Sequence, residues 1–360
     1  ILIRGVSKVS LHNHQIVILL TLLSLYGCDT EFEVRTNNGN SDVNEKIFES
    51  KIEGPTPWTH SQFDNTNEKF TFAVFSDLNG GERERIFEVA VAQLALLRPE
   101  LIMSIGDLID GDSEDRSALI EEWQWFDQRA SRTQAPVFYV GGNHDLTNKV
   151  MQDLWSERYG PKYYHFIYKN VLFLALDTED YSEEVSKKLS SARAAFKAVQ
   201  KSGDLKKASQ MEYMRMPERL TGDVSGNQVD YFLKVLAENP DVHWTFLFMH
   251  KPVWLKEEEP DFLALEDALS NRPYTLFNGH LHTYSHQVRK GRDYIMLGTT
   301  GGAHRPNQKM SFDHLTLVTV DTEGPSIVNL KLEGILDKTG EIPEEGQDLC
   351  FQALECKKGG

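Results

Sequence analysis

Phe70-Thr71-Phe72-Ala73-Val74-Phe75 runs without interruption into Ser76-Asp77-Leu78-Asn79-Gly80-Gly81. An apolar run rich in aromatic and β-branched residues, closed by a polar turn with two glycines, reads as a buried strand that delivers its polar residues at its C-terminal end. Residues 83–97 then carry helical spacing, and the pattern recurs. A strand over 101–105 runs into Gly106-Asp107, a helix is expected over 114–130, and a strand over 137–140 runs into Gly141-Gly142-Asn143-His144-Asp145. Alternating strands and helices predict a layered α/β fold, in which ligands gather where the carboxyl ends of strands meet their loops. All three polar clusters fall there.

Downstream, strands over 163–168 and 171–176 flank a Lys169-Asn170 turn. Residues 181–221 are rich in Lys, Glu, Ala and Ser; this helix-forming insertion reads as a solvated surface hairpin, the alternative being a partial lid beside the site. A helix near 228–237 precedes a strand over 244–248 that ends in Met249-His250, and a strand over 274–277 that leads to Gly279-His280-Leu281-His282. Further hairpin-like strands, turning at Lys290-Gly291 and Glu323-Gly324, extend to about residue 334.

Hard cations take oxygen and imidazole ligands, and two of them held about 3.5–4 Å apart need an anionic ligand between them. Asp77 with Asn79, Asp107, Asn143, His250, and the pair His280 and His282 could supply this, each following a strand-like run and abutting glycine or a turn. Singly each is weak, because a His after a strand is usually a satisfied polar residue and Gly-Asn-His-Asp can be an Asx turn. In order, Ser-Asp-Leu-Asn, Gly-Asp-Leu-Ile-Asp, Gly-Asn-His-Asp, Met-His-Lys-Pro and Gly-His-Leu-His resemble the five motifs of the calcineurin-like metallophosphoesterases.

The resemblance spans about residues 70–302 and implies a four-layer αββα sandwich. It implies one metal on Asp77, Asn79, Asp107 and His282 and a second on Asp107, Asn143, His250 and His280, with Asp107 as the bridge. The ions would be divalent or trivalent, with Mn, Fe, Zn and Ni the candidates. The implied reaction is hydrolysis of a small phosphoester by a metal-bridging hydroxide. His144 would protonate the leaving group and Asp110 would pair with His144. Asp145 reads as a local structural partner. One position departs from the family pattern, since the first motif normally ends in His. As a ligand, Asn79 offers a neutral amide oxygen; as a turn cap before Gly80-Gly81, it leaves the first metal one protein ligand short. A catalytically impaired metal-binding module is the alternative function, and a retained proton donor argues for catalysis. His304 and Arg305 follow a strand and could contact substrate, the plainer reading being that Gly301-Gly302 marks a tight backbone turn.

The 360 residues carry 54 acidic against 38 basic side chains, a net charge of −16, which disfavours a nucleic-acid duplex as partner. Arg4 and Lys8 precede an apolar run over 16–26 that suits a signal-peptide core. Leu25-Tyr26-Gly27-Cys28 is similar to a bacterial lipoprotein signal, so the expectation is export with a lipid on Cys28 and a membrane tether; an ordinary signal peptide is the plainer alternative. The expected organisation is a signal over 1–27, a polar tether over 28–68, a catalytic domain over 69–334 and a polar tail over 335–360. Cys350 and Cys356 either close a small disulfide loop or are two unrelated thiols.

Overall fold

The structure is a computed structural model, which describes residues 48–63, 69–256, 259–305 and 307–352. The signal-like segment and Cys28 lie outside the described residues. In chain order the strands are β1 (Phe48–Glu49), β2 (Phe70–Phe75), β3 (Leu101–Ser104), β4 (Val137–Phe138), β5 (Tyr164–Tyr168), β6 (Val171–Ala175), β7 (Trp244–Met249), β8 (Tyr274–Asn278), β9 (Ser285–Arg289), β10 (Arg292–Met296), β11 (His314–Asp321) and β12 (Gly324–Lys331). One sheet has the order β12-β11-β2-β3-β4 and the other β1-β5-β6-β7-β8-β10-β9. The strands that carry the motifs are parallel within each sheet: β2 with β3 and β3 with β4, and β6 with β7 and β7 with β8.

Strand β2 is apolar on both faces because both are covered. Phe72 and Val74 pack between the sheets against Phe173, Phe246 and Phe248, while Ala73 and Phe75 face a core built with helices Ile86–Leu97, Arg116–Ala130 and Lys149–Tyr159. On the far side, Leu172, Leu174 and Leu247 of the other sheet pack against Phe232 and Phe262 from helices Gly226–Glu238 and Pro260–Ala268. Three apolar layers between helix, sheet, sheet and helix make the four-layer αββα sandwich. Because the parallel strands point the same way within each sheet, the five motif loops emerge together at one rim.

Two segments differ from the sequence expectation. Within the supposed tether, β1 pairs with β5, and Phe48, Ile52, Trp58 and Phe63 pack against the inter-sheet core. Within the supposed tail, Ile335 and Phe351 are buried against the helix-side core, Arg83 donates to the Cys350 carbonyl at 3.0 Å, and Asp313 donates its N–H to the Phe351 carbonyl at 3.1 Å. Both segments bury isolated large side chains set in polar sequence, which leaves no periodicity to read. Cys350 is disulfide-bonded, while Cys356 lies outside the described residues.

The insertion forms a long helix, Glu183–Lys201, capped by Ser182, with short turns at Leu205–Ala208, Glu212–Arg215 and Glu218–Thr221. Leu189, Tyr213 and Met216 build a small core of its own, with Tyr181 and Phe196 packed on it. It is therefore more than a solvated hairpin. The buried Lys251 of Met-His-Lys-Pro pins it, reaching Glu179 at 2.6 Å, the Tyr181 hydroxyl at 3.1 Å and the Glu218 carbonyl at 3.0 Å.

Candidate functional site

The loops that follow β2, β3 and β8 are sharply strained. Asp77, Asp107, His280 and His282 have φ of 45°, 57°, 74° and 55°, in the left-handed region that non-glycine residues seldom occupy. Such conformations cost of order 1–3 kcal/mol each and persist where the surroundings over-determine them. Here the surroundings do. Asp77, Leu78 and Asn79 donate their N–H groups to the Gly106 and Asp107 carbonyls at 3.1–3.3 Å, and His280 N–H reaches both carboxylate oxygens of Asp77 at 3.1 Å. Asp145 ties two loops together, accepting from Leu108 and Ile109 N–H through Oδ1 and from Gly142 N–H through Oδ2. Glycine is required at two contacts: a Cβ on Gly142 would overlap the Asp107 carboxylate, and one on Gly279 would overlap that of Asp77.

Each motif histidine has one ring nitrogen on a main-chain carbonyl, which fixes the tautomer and aims the other nitrogen's lone pair inward. His250 Nδ1 donates to Ile105 O at 2.8 Å, His282 Nδ1 to Ala303 O at 2.6 Å, and His280 Nε2 to Arg219 O at 2.7 Å. With the imidazoles neutral, as metal binding requires, what faces inward is a set of acceptors. His250 Nε2 lies 3.2 Å from Asp107 Oδ2, 3.2 Å from His280 Nδ1 and 3.3 Å from Asn143 Oδ1. His282 Nε2 lies 3.4 Å from Asp77 Oδ1. Without a cation, the Asn143 amide would do better reversed, its nitrogen donating to His250 Nε2 and His280 Nδ1. A cation held by these groups would instead take the Asn143 amide oxygen as a ligand. The groups respond as expected of an anionic cradle: although burial pulls His250 down, the Asp107 carboxylate pushes it up to about 9, while burial and the neighbouring His250 hold His280 well below the usual imidazole range.

Two groups of ligand atoms can each hold a metal, Asp107 with His250 and His280, and Asp77 with Asp107 and His282. Asp107 belongs to both. Asn79 is buried, and its Oδ1 has no hydrogen-bond partner. A turn cap would have its oxygen on a backbone N–H; an orphaned buried amide oxygen in this loop fits a metal ligand. The residues present thus fit two hard cations, with Asn143 completing the second group.

His144 occupies the same rim and also has a fixed tautomer. Its Nδ1 donates to the main-chain carbonyl of Asp110 at 2.6 Å. The Asp110 carboxylate is 4.0 Å away and 70% exposed, whereas that of Asp112, 14% exposed, comes within 3.9 Å. The expected Asp110 pairing is therefore made through the backbone, so it does not depend on that side chain. On the opposite side, Arg193 Nη2 donates to His144 Nε2 at 3.0 Å. Arg193 is buried, forks onto Asp112 through Nε and Nη2, and donates to the Tyr213 hydroxyl at 2.6 Å. Burial opposes ionisation of Asp112, yet Arg193 holds its carboxyl down at about 2.

Arg193, Lys197, Tyr213 and Arg219 all come from the insertion and line a cleft of about 580 Å³ over the motif loops. None carries a motif, and nothing in the sequence aims them there. Of the two proposed substrate contacts, Arg305 lines the cleft. His304 does not: its Nε2 lies 3.2 Å from Oδ2 of the buried Asp313, whose Oδ1 accepts from Arg83, Thr299 and Gly301. His304 is thus part of the support beneath the Gly301-Gly302 turn.

A family model described as calcineurin-like phosphoesterase matches residues 70–284. No curated protein matches the chain. Among solved structures, it is similar to a dimetal phosphatase from Danio rerio, 17% identical with a TM-score of 0.48, covering 73% of this chain and 98% of that one. GAP50, the anchor in the inner membrane complex of Plasmodium, is 15% identical with a TM-score of 0.48, covering 76% and 87%. A putative 5′-nucleotidase from Staphylococcus aureus is 17% identical with a TM-score of 0.42, covering 78% of this chain and 57% of that one.

Proposed function

The chain belongs to the calcineurin-like phosphoesterase family, and from that premise we propose that it hydrolyses phosphoesters at a centre for two cations, held by Asp77, Asn79, Asp107 and His282 and by Asp107, Asn143, His250 and His280. The observation that carries the reading is the sharing of Asp107 by both ligand groups. When bound, two such cations supply Lewis-acid charge to phosphoryl oxygens and lower the pKa of a coordinated water. The chain's own residues then have distinct tasks. Arg193, fixed by Asp112 and Tyr213, presents its guanidinium beside the centre, where it can take up charge that builds on the phosphoryl oxygens. His144, oriented by the Asp110 carbonyl, is the proposed proton donor to a departing oxygen, once its Nε2 gains a proton and releases Arg193.

The direct test is phosphate release from alkyl and aryl monoesters and diesters by chelator-stripped protein and by protein reloaded with Mn, Zn, Fe, Ni or Mg. Stripped protein is expected to fall by at least about a hundredfold and to recover on reloading. A rate indifferent to verified metal removal would sink the proposal.

Asn79 offers a narrower test. Because its oxygen is neutral and a weaker ligand than imidazole for zinc or iron, Asn79→His is expected to raise affinity for one of two bound ions by roughly tenfold and to shift the preferred metal at that site alone. Metal content and stepwise affinity by titration read this; two unchanged affinities would place Asn79 outside the coordination sphere.

A further inference from the structure

Cations in the cleft fall into two kinds. Arg193 and Lys197 share Asp112, with Lys197 Nζ 2.9 Å and Arg193 Nη2 3.0 Å from its Oδ2. Arg219 and Arg305 also line the cleft, and neither makes an ion pair among the described residues. In a chain with 54 acidic and 38 basic residues, two guanidiniums without a carboxylate in one cleft are an unusual arrangement. Arginine is the side chain suited to planar, two-pronged recognition of phosphate and carboxylate.

Both are held in place through the Gly-His-Leu-His loop. Arg219 is anchored through its main chain, whose carbonyl accepts from His280 Nε2 at 2.7 Å, and its own Nε is buried with no hydrogen-bond partner. Arg305 donates Nε to the Leu281 carbonyl at 3.0 Å, while its backbone N–H is held by the Ser311 hydroxyl at 2.8 Å. Its Nη groups remain available. Burial pulls Arg305 down against the opposing Asp77 carboxylate, and Arg219 adds to that pull. Two guanidiniums lining one cleft, with no carboxylate in ion-pair contact among the described residues, suit an anion that both can reach.

We infer that Arg219 and Arg305 form a subsite for a second anionic group on the substrate, so that the preferred phosphoester carries a further phosphate or carboxylate beyond the phosphoryl group being cleaved. The inference rests on the proposed phosphoester hydrolysis for its placing of the first phosphoryl group on the metal ligands. Two unpaired guanidiniums suit a dianionic phosphate better than a single carboxylate.

Binding of non-hydrolysable ligands separates this from turnover. Isothermal titration of the metal-loaded protein would compare propylphosphonate, 4-phosphonobutyrate and propane-1,3-diyl bisphosphonate. The bisphosphonate is expected to bind about tenfold or more tightly than propylphosphonate, with the carboxylate ligand between them, as charge-assisted contacts allow. In Arg219→Gln/Arg305→Gln that advantage should shrink below about threefold. Equal affinities in the wild type, an advantage kept by the double variant, or equal weakening of all three ligands would each overturn the subsite. Arg305→Gln alone, at an exposed side chain, serves if the double variant does not fold, and it should remove part of the same advantage. Aryl phosphate turnover is read on the same preparations. A protein that hydrolyses without discriminating the ligands refutes the subsite and leaves the proposed function standing. One that discriminates without hydrolysing does the reverse.

Discussion

Asp107→Asn is expected to abolish phosphate release and to cost more than one equivalent of bound metal. The carboxylate is buried, belongs to both ligand groups, and also accepts the His144 N–H at 2.8 Å through Oδ1. Burial works against its charge, but His250 and His144 beside it hold it well below the usual carboxylate range. An amide keeps the shape and loses the charge, so neither cation retains its anionic bridge. Activity should fall by at least the roughly hundredfold to thousandfold that follows loss of a single charge-stabilising group. Loss of metal must be told apart from loss of fold. Burial and the charge of Asp107 together push the neighbouring Asp145 up to about 8, so the variant loses that repulsion along with the attraction of His250 and His144, and melts of metal-free variant and metal-free wild type show whether the fold is kept. Elemental analysis, thermal melts and phosphate release on one preparation decide the matter. A full metal complement with a near-normal rate would remove Asp107 from the bridge.

The candidate ligand positions were legible because each follows directly from the strand that carries it. Asp77, Asp107, Asn143, His250 and His280 stand just past runs whose apolar character is dictated by burial on both faces, so the loop positions could be counted off the sequence. The strained φ angles of Asp77, Asp107 and His280 and the glycines pressed against Asp77 and Asp107 are the local cost of bringing five loops to one rim. The walls of the cleft were illegible for the opposite reason. Arg193 reaches His144 from 49 positions away on a helix whose composition alone reads as solvated. Only the tertiary pairing with Asp112 and the small core around Tyr213 turn that face inward. Asp110 illustrates a third limit: position placed it beside His144, but which of its atoms makes the contact depends on a loop conformation that spacing does not encode.

His144→Ala is expected to cost an alkyl phosphoester roughly a hundredfold to ten-thousandfold in rate and a nitrophenyl ester much less. An alkoxide is too basic to leave without a proton, whereas a nitrophenolate leaves readily as an anion. The structure adds a rival account that the same experiment can discriminate. With Nδ1–H on the Asp110 carbonyl, His144 Nε2 accepts from Arg193, so the atom that should give the proton is engaged as an acceptor. Burial pulls the imidazole's pKa down, and Arg193 and Lys197 add to that pull against the opposing carboxylates of Asp107 and Asp112. To act as an acid, His144 must gain a proton at Nε2 and release Arg193 toward the phosphoryl oxygens. If instead it only holds Arg193 in place, His144→Ala should slow both esters equally, and Arg193→Ala should reproduce that uniform loss. Asp110→Asn should leave both rates within about threefold of wild type on either account, because the contact it would disturb is main-chain. Metal content is measured with every variant, since a lost cation would also slow both esters. A loss graded by leaving-group basicity at His144 and uniform at Arg193 assigns the proton to His144 and the phosphoryl charge to Arg193; uniform losses at both make the two residues a single positioning unit.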